Sequence, residues 1–483
     1  MPDVRSSVMG GSYDRAADTS ARIQFRRGLT LTAMTLVLPG SAQIVSGNRK
    51  VGRIAIRVWL ALVLMAVVVL VIALTSRRGL FSLVTNPRLL TLLTWGLVVL
   101  AVVWVALLID AWRLGQPLTM ARGHRLWMTA LNSVLCFVTA GTLLYAAHTV
   151  HAGGEALDTV FASNTVSDAH HGRYNVLLLG GDSGPDRSGV RPDSLTVASI
   201  DTDTGRTVLI GLPRNLQEVP FKDGSVMHEQ FPDGFDCDGC YLNAVNTWAN
   251  DHADLFAKEY PGLEHPGLEV TKDAVEEITG LKINYYVMVN LAGFKKLIDA
   301  VGGVTIDVQE RTAIGGIGAP ITGYIEAGKQ KLDGRKALWY ARSRVQNDDF
   351  SRMGRQKCVM SAMLHQLSPK TVLFNAQQIA ESSAEMLSTD IPRQDLATFM
   401  DLAIKAKGQK ISSVSLVPPQ IYTGNPDYDK VRTMVRTAID KAEGKAKSSE
   451  KTGLLKAELS VPDVSEAKDP KAANHSDDVA ATC

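Results

Sequence analysis

The stretch RPDSLTVASIDTDTGRTVLIGLPRN, residues 191–215, predicts two β-strands joined by a tight turn. Apolar and β-branched residues fill both halves, and DTDTG between them consists of residues that favour turns. Arg191 and Asp193 stand at the entrance of the first strand, and Arg214 stands at the exit of the second. If the strands are antiparallel neighbours, the start of one lies beside the end of the other. We therefore expect these three side chains to meet at one edge of a sheet.

Strand and helix patterns alternate in the sequence on both sides of this stretch. YNVLLLG, INYYVMVN, VTIDV and SSVSLVP have the composition of strands, and the stretches between them include apolar residues at helical spacing. Such alternation predicts the α/β class, with a central mixed sheet flanked by helices in an α-β-α arrangement.

The first third of the chain predicts a helical transmembrane region that precedes this domain. Three apolar runs, 54–75, 89–111 and 126–147, are long enough for membrane-spanning helices, which need roughly 20 residues each. A fourth run, 29–45, is shorter and is broken by PGS at residues 39–41. Backbone groups freed by such a break need partners in lipid, so we interpret this run as re-entrant or interfacial.

The distribution of basic residues predicts how the three spans are oriented in the membrane. Basic residues are concentrated before and at the start of the first span, which places the amino terminus in the cytoplasm. We expect a cytoplasmic tail at 1–27, a membrane region at 28–148, a stalk at 149–173, an extracytoplasmic α/β domain at 174–442 and a disordered tail at 443–483. The protein would then be a multi-pass protein of the cell membrane, with the lipid bilayer as a partner. The 51 basic and 49 acidic residues nearly cancel, which gives no indication of a nucleic-acid partner.

Cys237 and Cys240 form the motif CDGC. A Cys-x-x-Cys pair can bind zinc, carry redox chemistry or close a small disulfide loop. The sequence has no second pair or histidine cluster to complete a zinc site, and no thioredoxin-like βαβ pattern surrounds the motif. We favour a structural disulfide, because the expected compartment is oxidising. The sequence leaves the pairing of Cys358 and Cys483 open.

One short stretch, YARSR followed by DFSRMGRQ, is rich in arginine. Arg342 and Arg344 are two apart, so in an extended segment they would point to one face. Arg352 and Arg355 are three apart on the following helix, with Gln356 beside them, so we expect them to share a surface. The planar guanidinium group suits two phosphate oxygens at once. So many like charges would repel one another unless an anion lay between them.

An alternative is that these arginines belong to an ordinary charged surface, paired with Asp348, Asp349 and Glu381. The strand ends favour a ligand site instead, because α/β sheets bind their ligands there. Asp182 follows the predicted strand YNVLLLG by two residues. Asp182 and Asp193 together could hold Mg²⁺, or Mn²⁺ in its place, since Mg²⁺ typically takes one or two carboxylates plus phosphate oxygens and water.

Together these segments resemble the LytR-CpsA-Psr family of cell-wall phosphotransferases. They cover Tyr174 to about Leu367 and occur in the order found in the family. The matching pieces are LLLGGDS, RPDSLTVASID, LIGLPRN, YLNAVNTWA, INYYVMVNLAGFKKLIDAVGGVTIDV, LDGRKALWYARSR and DFSRMGRQK.

The resemblance implies an enzyme that takes a glycan polymer from polyprenyl pyrophosphate and attaches it, through a phosphodiester, to a hydroxyl of peptidoglycan. Asp182 and Asp193 would hold Mg²⁺ on the pyrophosphate, and Asp193 would also assist the incoming hydroxyl. We therefore predict as catalytic residues Asp193, Arg191, Arg214, Arg342 and Arg344. The predicted phosphate- or lipid-binding residues are Arg352, Arg355, Gln356 and Asn243.

Two positions depart from the family pattern. Asn215 stands where the family often has an aspartate after Pro-Arg, and Tyr241 stands where a basic residue is common. These variations look like those of actinobacterial members, whose polymer would be arabinogalactan or a similar wall glycan. Two other functions stay open. One is a pyrophosphatase that hydrolyses the carrier, and the other is a non-catalytic membrane sensor or attenuator of transcription.

Overall fold

The computed structural model describes residues 23–161, 166–181, 191–316, 320–366, 387–445 and 469–483. The chain divides into two compact units, Met1–Glu155 and Ala156–Cys483.

The first unit consists of helices. They are α1 (residues 23–37), α2 (Ser41–Ser46), α3 (Arg49–Thr75), α4 (Arg77–Thr85), α5 (Pro87–Leu114) and α6 (Arg122–Val160), whose last residues belong to the second unit. The helical segments Arg49–Thr75, Pro87–Thr119 and Arg122–Val160 are long and apolar enough to cross a membrane. Each contains one of the three runs predicted as spans.

Residues 29–45 form two helices with a break between them. Helix α1 ends at residue 37 and α2 begins at Ser41, so the break lies where PGS predicts it. Gly40 has φ +96°, a conformation that favours glycine. The buried Gln43 donates through Nε2 to the Leu107 carbonyl at 3.1 Å, so this segment finds polar partners inside its own unit.

The second unit is built on a six-stranded mixed sheet. Its strands are β1 (Arg173–Gly181), β2 (Pro192–Asp201), β3 (Thr207–Leu212), β4 (Tyr285–Asn290), β9 (Leu387–Thr389) and β10 (Ile411–Ser415). The order across the sheet is β10-β3-β2-β1-β4-β9. β1 pairs parallel to β4 and antiparallel to β2, and β10 pairs parallel to β3. Two small sheets join β5 (Val304–Val308) to β8 (Gly328–Leu332) and β6 (Thr312–Ile314) to β7 (Gly323–Ile325).

Helices cover both faces of the six-stranded sheet and also pack on the small sheets. They are α7 (Val226–Gln230), α8 (Val245–Asp251), α9 (Gly267–Thr279), α10 (Leu291–Ala300), α11 (Gly334–Arg342), α12 (Asp349–Gln366), α13 (Leu396–Lys407), α14 (Tyr428–Glu443) and α15 (Val479–Thr482). Leu177 and Leu179 of β1 face a core shared with α8, α9 and α14. Leu178 faces the opposite core, with Met360 and Leu364 of α12. The alternation along β1 therefore produces the predicted α-β-α layers.

The hairpin of β2 and β3 has the predicted antiparallel register, with Leu195 opposite Leu212 and Ile200 opposite Thr207. In the turn, Asp201 Oδ1 accepts from the backbone N–H of Thr204 at 2.7 Å, as aspartate commonly does in turns. This register sets which residues meet at the open end of the hairpin.

The prediction that residues 443–483 form a disordered tail is wrong for residues 469–483. Pro470–Asn474 form a 3₁₀ turn, α15 follows, and Cys483 is joined to Cys358 by a disulfide. The segment adds buried Ala473 and Val479 to cores that already exist, so it needs no core of its own. Residues 446–468 lie outside the described part of the chain.

The predicted stalk, 149–173, is also structured at both of its ends. Helix α6 continues to Val160. Farther along, the Ser167 N–H donates to the Tyr285 hydroxyl at 2.8 Å, and Asn284 Nδ2 donates to the Asp168 carbonyl at 2.7 Å. These bonds place the end of the predicted stalk against β4. Small polar residues alone do not distinguish a free linker from a segment whose backbone bonds to a sheet.

Candidate active site

The open end of the β2–β3 hairpin brings Asp193 and Arg214 together, as the sequence predicts. Arg214 Nη1 lies 2.5 Å from Asp193 Oδ1, and the two side chains are 27% and 29% exposed. Arg191 lies one residue before β2 and is exposed. A guanidinium group and a carboxylate, both partly accessible, therefore stand at the strand edge.

Helix α12 adds a second guanidinium group to this edge. Arg352 is 4% exposed, and its Nη2 contacts Asp349 Oδ2 at 3.0 Å. Arg344 approaches the other oxygen of Asp349 at 3.6 Å. Asp349 thus pairs with Arg344 and Arg352, so the alternative of ordinary ion pairs accounts for part of their charge.

The electrostatics of Arg352 show which groups share this site. Burial lowers the pKa of Arg352, and the cations of Arg214 and Arg344 lower it further, while Asp349 and Asp193 oppose the shift. The Nε of Arg352 is buried and has no hydrogen-bond partner among the described residues. A buried donor without a partner costs stability, so its persistence calls for an explanation.

Gln356, one helical turn beyond Arg352, connects three elements. Its Oε1 accepts from Ser194 Oγ of β2 at 2.9 Å, and its Nε2 donates to the Ala341 carbonyl of α11 at 3.2 Å. A cavity of about 10 Å³ lies beside these groups, lined in part by Asp193, Ser194, Arg352 and Gln356. That volume is close to what one water molecule needs.

Arg355 lies apart from this group, and the expectation that it shares a surface with Arg352 is wrong. Its Nε donates to the Tyr340 carbonyl at 2.8 Å, its Nη2 donates to the Ser343 carbonyl, and its Nη1 lies 3.4 Å from Glu310. The side chain is buried, and these bonds hold the segment after α11. A spacing of three residues separates two side chains by about 60° around a helix, enough for them to meet different neighbours.

Arg342 and Arg344 are not both in an extended segment. Arg342 is the last residue of α11, which Asp333 begins by accepting from the Lys336 N–H at 2.8 Å. The Arg342 guanidinium carbon lies 5.7 Å from the centre of the Trp339 ring. The chain becomes extended only at Ser343, so the period of two residues does not apply across this pair.

Asn243 acts here through its backbone. Its N–H donates to the Arg214 carbonyl at 3.0 Å, and the Leu242 N–H donates to the Leu216 carbonyl at 2.9 Å. These bonds fix the chain that leaves β3 and so help to place Arg214.

Comparison with known proteins identifies the family. A sequence model of the LytR_cpsA_psr family matches residues 142–445, more than half of the chain. The chain belongs to the LytR_cpsA_psr family.

The relatives compared below are distant in sequence. The chain is 27% identical over 229 residues to the "Polyisoprenyl-teichoic acid--peptidoglycan teichoic acid transferase TagU" of Oceanobacillus iheyensis, covering 47% of this chain and 61% of the relative. It is 24% identical to the "Cell wall biosynthesis protein LcpA" of Corynebacterium glutamicum, covering 64% of this chain and 63% of the relative. The chain therefore spans less than two thirds of the length of either relative. The crystal structure of protein gbs0355 from Streptococcus agalactiae aligns with a TM-score of 0.43 at 20% identity, covering 57% of this chain and 90% of that one.

Asn215 is the residue at which this LytR_cpsA_psr protein departs from the expected Pro-Arg-Asp pattern. Its Nδ2 donates to Thr423 Oγ1 at 3.2 Å. The amide thus faces a loop of its own unit, and Asp193 is the carboxylate that pairs with Arg214.

Of the two predicted metal ligands, Asp193 is described above and Asp182 lies outside the described residues. No group of three or more His, Cys, Asp or Glu residues that could hold a metal occurs among the residues the structure describes. Mg²⁺ on a diphosphate needs only one or two carboxylates, and Asp193, partly exposed beside two arginines, fits that requirement.

The cysteine pairs of this LytR_cpsA_psr protein are both disulfides. Cys237 is joined to Cys240, which confirms that prediction, and Cys358 is joined to Cys483, a pairing that the sequence left open.

Lys357 is a residue beside the site that sequence reasoning missed. It is 1% exposed and lines the same small cavity as Gln356. Its Nζ donates to Ser415 Oγ and, at 3.3 Å, to the Asn474 carbonyl. Burial lowers its pKa to about 7. The sequence does contain a signal for this burial. Lys357 lies four residues after Met353 and three before Met360, which places it on the apolar stripe of its helix.

Proposed function

We propose that the second unit transfers a glycan polymer, together with a phosphate, from polyprenyl pyrophosphate to a hydroxyl of peptidoglycan during cell-wall assembly. The observation that carries this proposal is Arg352, a buried guanidinium group whose Nε lacks a partner among the described residues, next to Arg214 and Arg344. A phosphate placed between these groups would accept the unused N–H and neutralise the excess positive charge. The name of the Oceanobacillus iheyensis relative, a transferase of teichoic acid from a polyisoprenyl carrier to peptidoglycan, supports the same reaction class.

In the proposed reaction, the acceptor hydroxyl oxygen attacks the phosphorus that carries the glycan. The bond from that phosphorus to the bridging oxygen breaks, and polyprenyl phosphate leaves with the electron pair. The hydroxyl proton passes to Asp193 Oδ2, because Arg214 occupies Oδ1 and holds the carboxylate in place. Arg344 and Arg352 would stabilise the charge on the phosphate oxygens, which is the main demand of phosphoryl transfer.

We also propose Mg²⁺ as the metal, with Mn²⁺ as a substitute. Asp182 and the phosphate oxygens would chiefly hold it. When bound, the ion would neutralise part of the diphosphate charge. A metal at Asp193 Oδ2 would make this carboxylate a poorer proton acceptor, so we assign the metal chiefly to Asp182 and the proton to Asp193.

The membrane region suits a lipid-linked donor. We propose that α3, α5 and α6 cross the membrane from a cytoplasmic amino terminus and that the second unit lies outside the cell. A polyprenyl chain would then stay in the bilayer while its pyrophosphate reaches the arginine group. The second unit would meet peptidoglycan on the same side.

The test is transfer of a labelled glycan from a synthetic polyprenyl-pyrophosphate donor to a peptidoglycan fragment, by the full-length protein in detergent. Arg214→Ala should lower kcat/KM by about 100-fold or more, since one lost charge-stabilising donor costs about that much. The matched control is Arg311→Ala, which removes an exposed arginine paired with Glu326 and should change the rate less than about twofold. Equal rates for Arg214→Ala and wild type would refute the assignment. Release of glycan phosphate into water, with none on the acceptor, would indicate a pyrophosphatase instead.

A further inference from the structure

Residues 469–483, which we call the C-terminal clamp, lie along the helix that carries Arg352 and Gln356. Lys471 Nζ contacts Asp348 Oδ2 at 2.7 Å, just before α12. In the first turn of the helix, the Phe350 carbonyl accepts from Asn474 Nδ2 at 2.8 Å. Farther along, Cys358 is bonded to Cys483. The clamp therefore holds α12 on both sides of Arg352.

The clamp approaches the helix closely at Gly354. A Cβ at this position would overlap the Pro470 carbonyl oxygen, so the backbones of clamp and helix are in direct contact. Gly354 stands between Arg352 and Gln356 in the sequence. A shift of the clamp would thus displace the helical turn that carries Arg352 and Gln356.

The clamp also bonds to the sheet. Ser413 of β10 exchanges two backbone hydrogen bonds with Ser476, at 2.7 and 3.2 Å, and its Oγ donates to the Ala473 carbonyl at 2.7 Å. Ser415 Oγ donates to Asn474 Oδ1 at 3.0 Å. Because β10 pairs with β3, the strand that leads to Arg214, the clamp is fixed to the sheet that carries the rest of the site.

Asn474 is the central group of this arrangement. It is 1% exposed, and its side chain bonds α12 through Phe350 and β10 through Ser415. Its carbonyl accepts from Lys357 Nζ, the residue next to Gln356. Buried polar networks of this kind fix one arrangement of the elements they join, because any other leaves polar groups unpaired.

We propose that the C-terminal clamp positions α12 for phosphotransfer, with Asn474, Lys357 and the Cys358–Cys483 disulfide acting through Arg352 and Gln356. This inference rests on the proposed function, since it assigns the clamp an effect on that reaction. Asn474, Lys357 and Cys483 are positioning residues, and they need not touch the substrate.

The first experiment measures kcat and KM of full-length Asn474→Ala with the polyprenyl-pyrophosphate donor. We expect kcat to fall about tenfold and KM to change less than about twofold, because misplaced catalytic groups slow the reaction more than they weaken binding. Asn474→Ala is then combined with Arg352→Lys in one double variant and with Arg214→Lys in another. The loss of kcat caused by Asn474→Ala should shrink to about twofold when Arg352 is already lysine, because Asn474 acts through Arg352. It should stay near tenfold when Arg214 is lysine, because Asn474 does not act through Arg214. Equal losses in both backgrounds would show a general loss of folded protein and would overturn the proposal.

The second experiment separates the two disulfides. A reducing agent should lower the kcat of the wild type and leave the Cys358→Ser/Cys483→Ser variant unchanged, although that variant retains Cys237–Cys240. An equal response of both proteins would assign the effect to Cys237–Cys240 and would overturn the proposal.

Hydrogen exchange distinguishes failure of this inference from failure of the proposed function. In Asn474→Ala, backbone amides of α12 should exchange at least about tenfold faster, while those of β1 and β2 keep their wild-type rates. A wild type without transferase activity would refute the proposed function, and the exchange result would still decide whether the clamp orders α12. Unchanged hydrogen exchange in α12 would overturn the proposal that the clamp positions this helix, whatever the transferase activity.

Discussion

Replacing Lys357 with methionine gives a stability change that can be worked out from the structure. The lysine amine is fully buried, and no carboxylate pairs with it among the described residues. Burial lowers its pKa to about 7, whereas the lysine of an unfolded chain has a pKa of about 10.4. Methionine has a similar volume and no charge to bury.

The pH dependence follows from this difference in pKa. Between about pH 7 and pH 10 the unfolded chain holds the proton of Lys357 and the folded chain does not, so raising the pH stabilises the fold. The slope is about 1.4 kcal/mol per pH unit, on the order of 4 kcal/mol over the whole interval. Lys357→Met lacks this contribution, so its advantage over the wild type should be greatest near pH 7 and should decrease as the pH rises.

The assay is urea unfolding of the full-length protein in detergent, followed by circular dichroism at several values from pH 7 to pH 9.5. His475 does not disturb this window, because burial and the nearby Lys357 cation lower its pKa to about 4 and its unfolded value is near 6.5. Tyrosines with raised pKa values are common to both proteins and cancel in the comparison. A difference in unfolding free energy that stays constant across this range would refute the burial of an unpaired amine.

Two further predictions concern other residues of α12. Arg355→Met should lower the unfolding free energy by about 3 kcal/mol in urea titrations, because the carbonyls of Tyr340 and Ser343 lose their charged donor and Glu310 loses its guanidinium partner. A loss of activity without a loss of stability would contradict this structural role of Arg355. Gly354→Ala should displace Pro470 and make the clamp more sensitive to limited proteolysis. Gly408→Ala, whose added Cβ would lie 3.9 Å from the Lys405 carbonyl oxygen, should not. Equal sensitivity of the two variants would show that the close contact at Gly354 is unimportant.

The sheet and the pairing of Asp193 with Arg214 could be predicted because both depend on local patterns. Alternating apolar residues and a turn of fixed length determine the register of a hairpin, and the register determines which residues are opposite. The same reasoning applied to any two strands joined this closely would place their end residues together. No knowledge of distant parts of the chain is required.

The direction of Arg355 could not be predicted in this way. Helical spacing shows that Arg352 and Arg355 are near each other on α12, but the neighbours of each depend on where Asp349 and Glu310 lie in the fold. Arg342 shows a related limit, since its place at the end of α11 changes its direction relative to Arg344.

The clamp could not be predicted because its order comes from partners far along the chain. Residues 469–483 contain few large apolar side chains, and composition alone makes such a segment resemble a flexible tail. Their order depends on the bond to Cys358 and on carbonyl groups of α12 and β10. Neither partner can be found by inspecting the segment itself.

The separation of 125 residues between Cys358 and Cys483 has a consequence for how the protein is made. In the proposed topology, with the second unit outside the cell, Cys237, Cys240 and Cys358 would emerge from the translocation channel before Cys483. During that interval the thiol of Cys358 could react with either earlier cysteine, because its own partner would still be inside the cell. Correct maturation would then need either slow oxidation or a thiol–disulfide exchange catalyst on the outer face that reverses a premature bond.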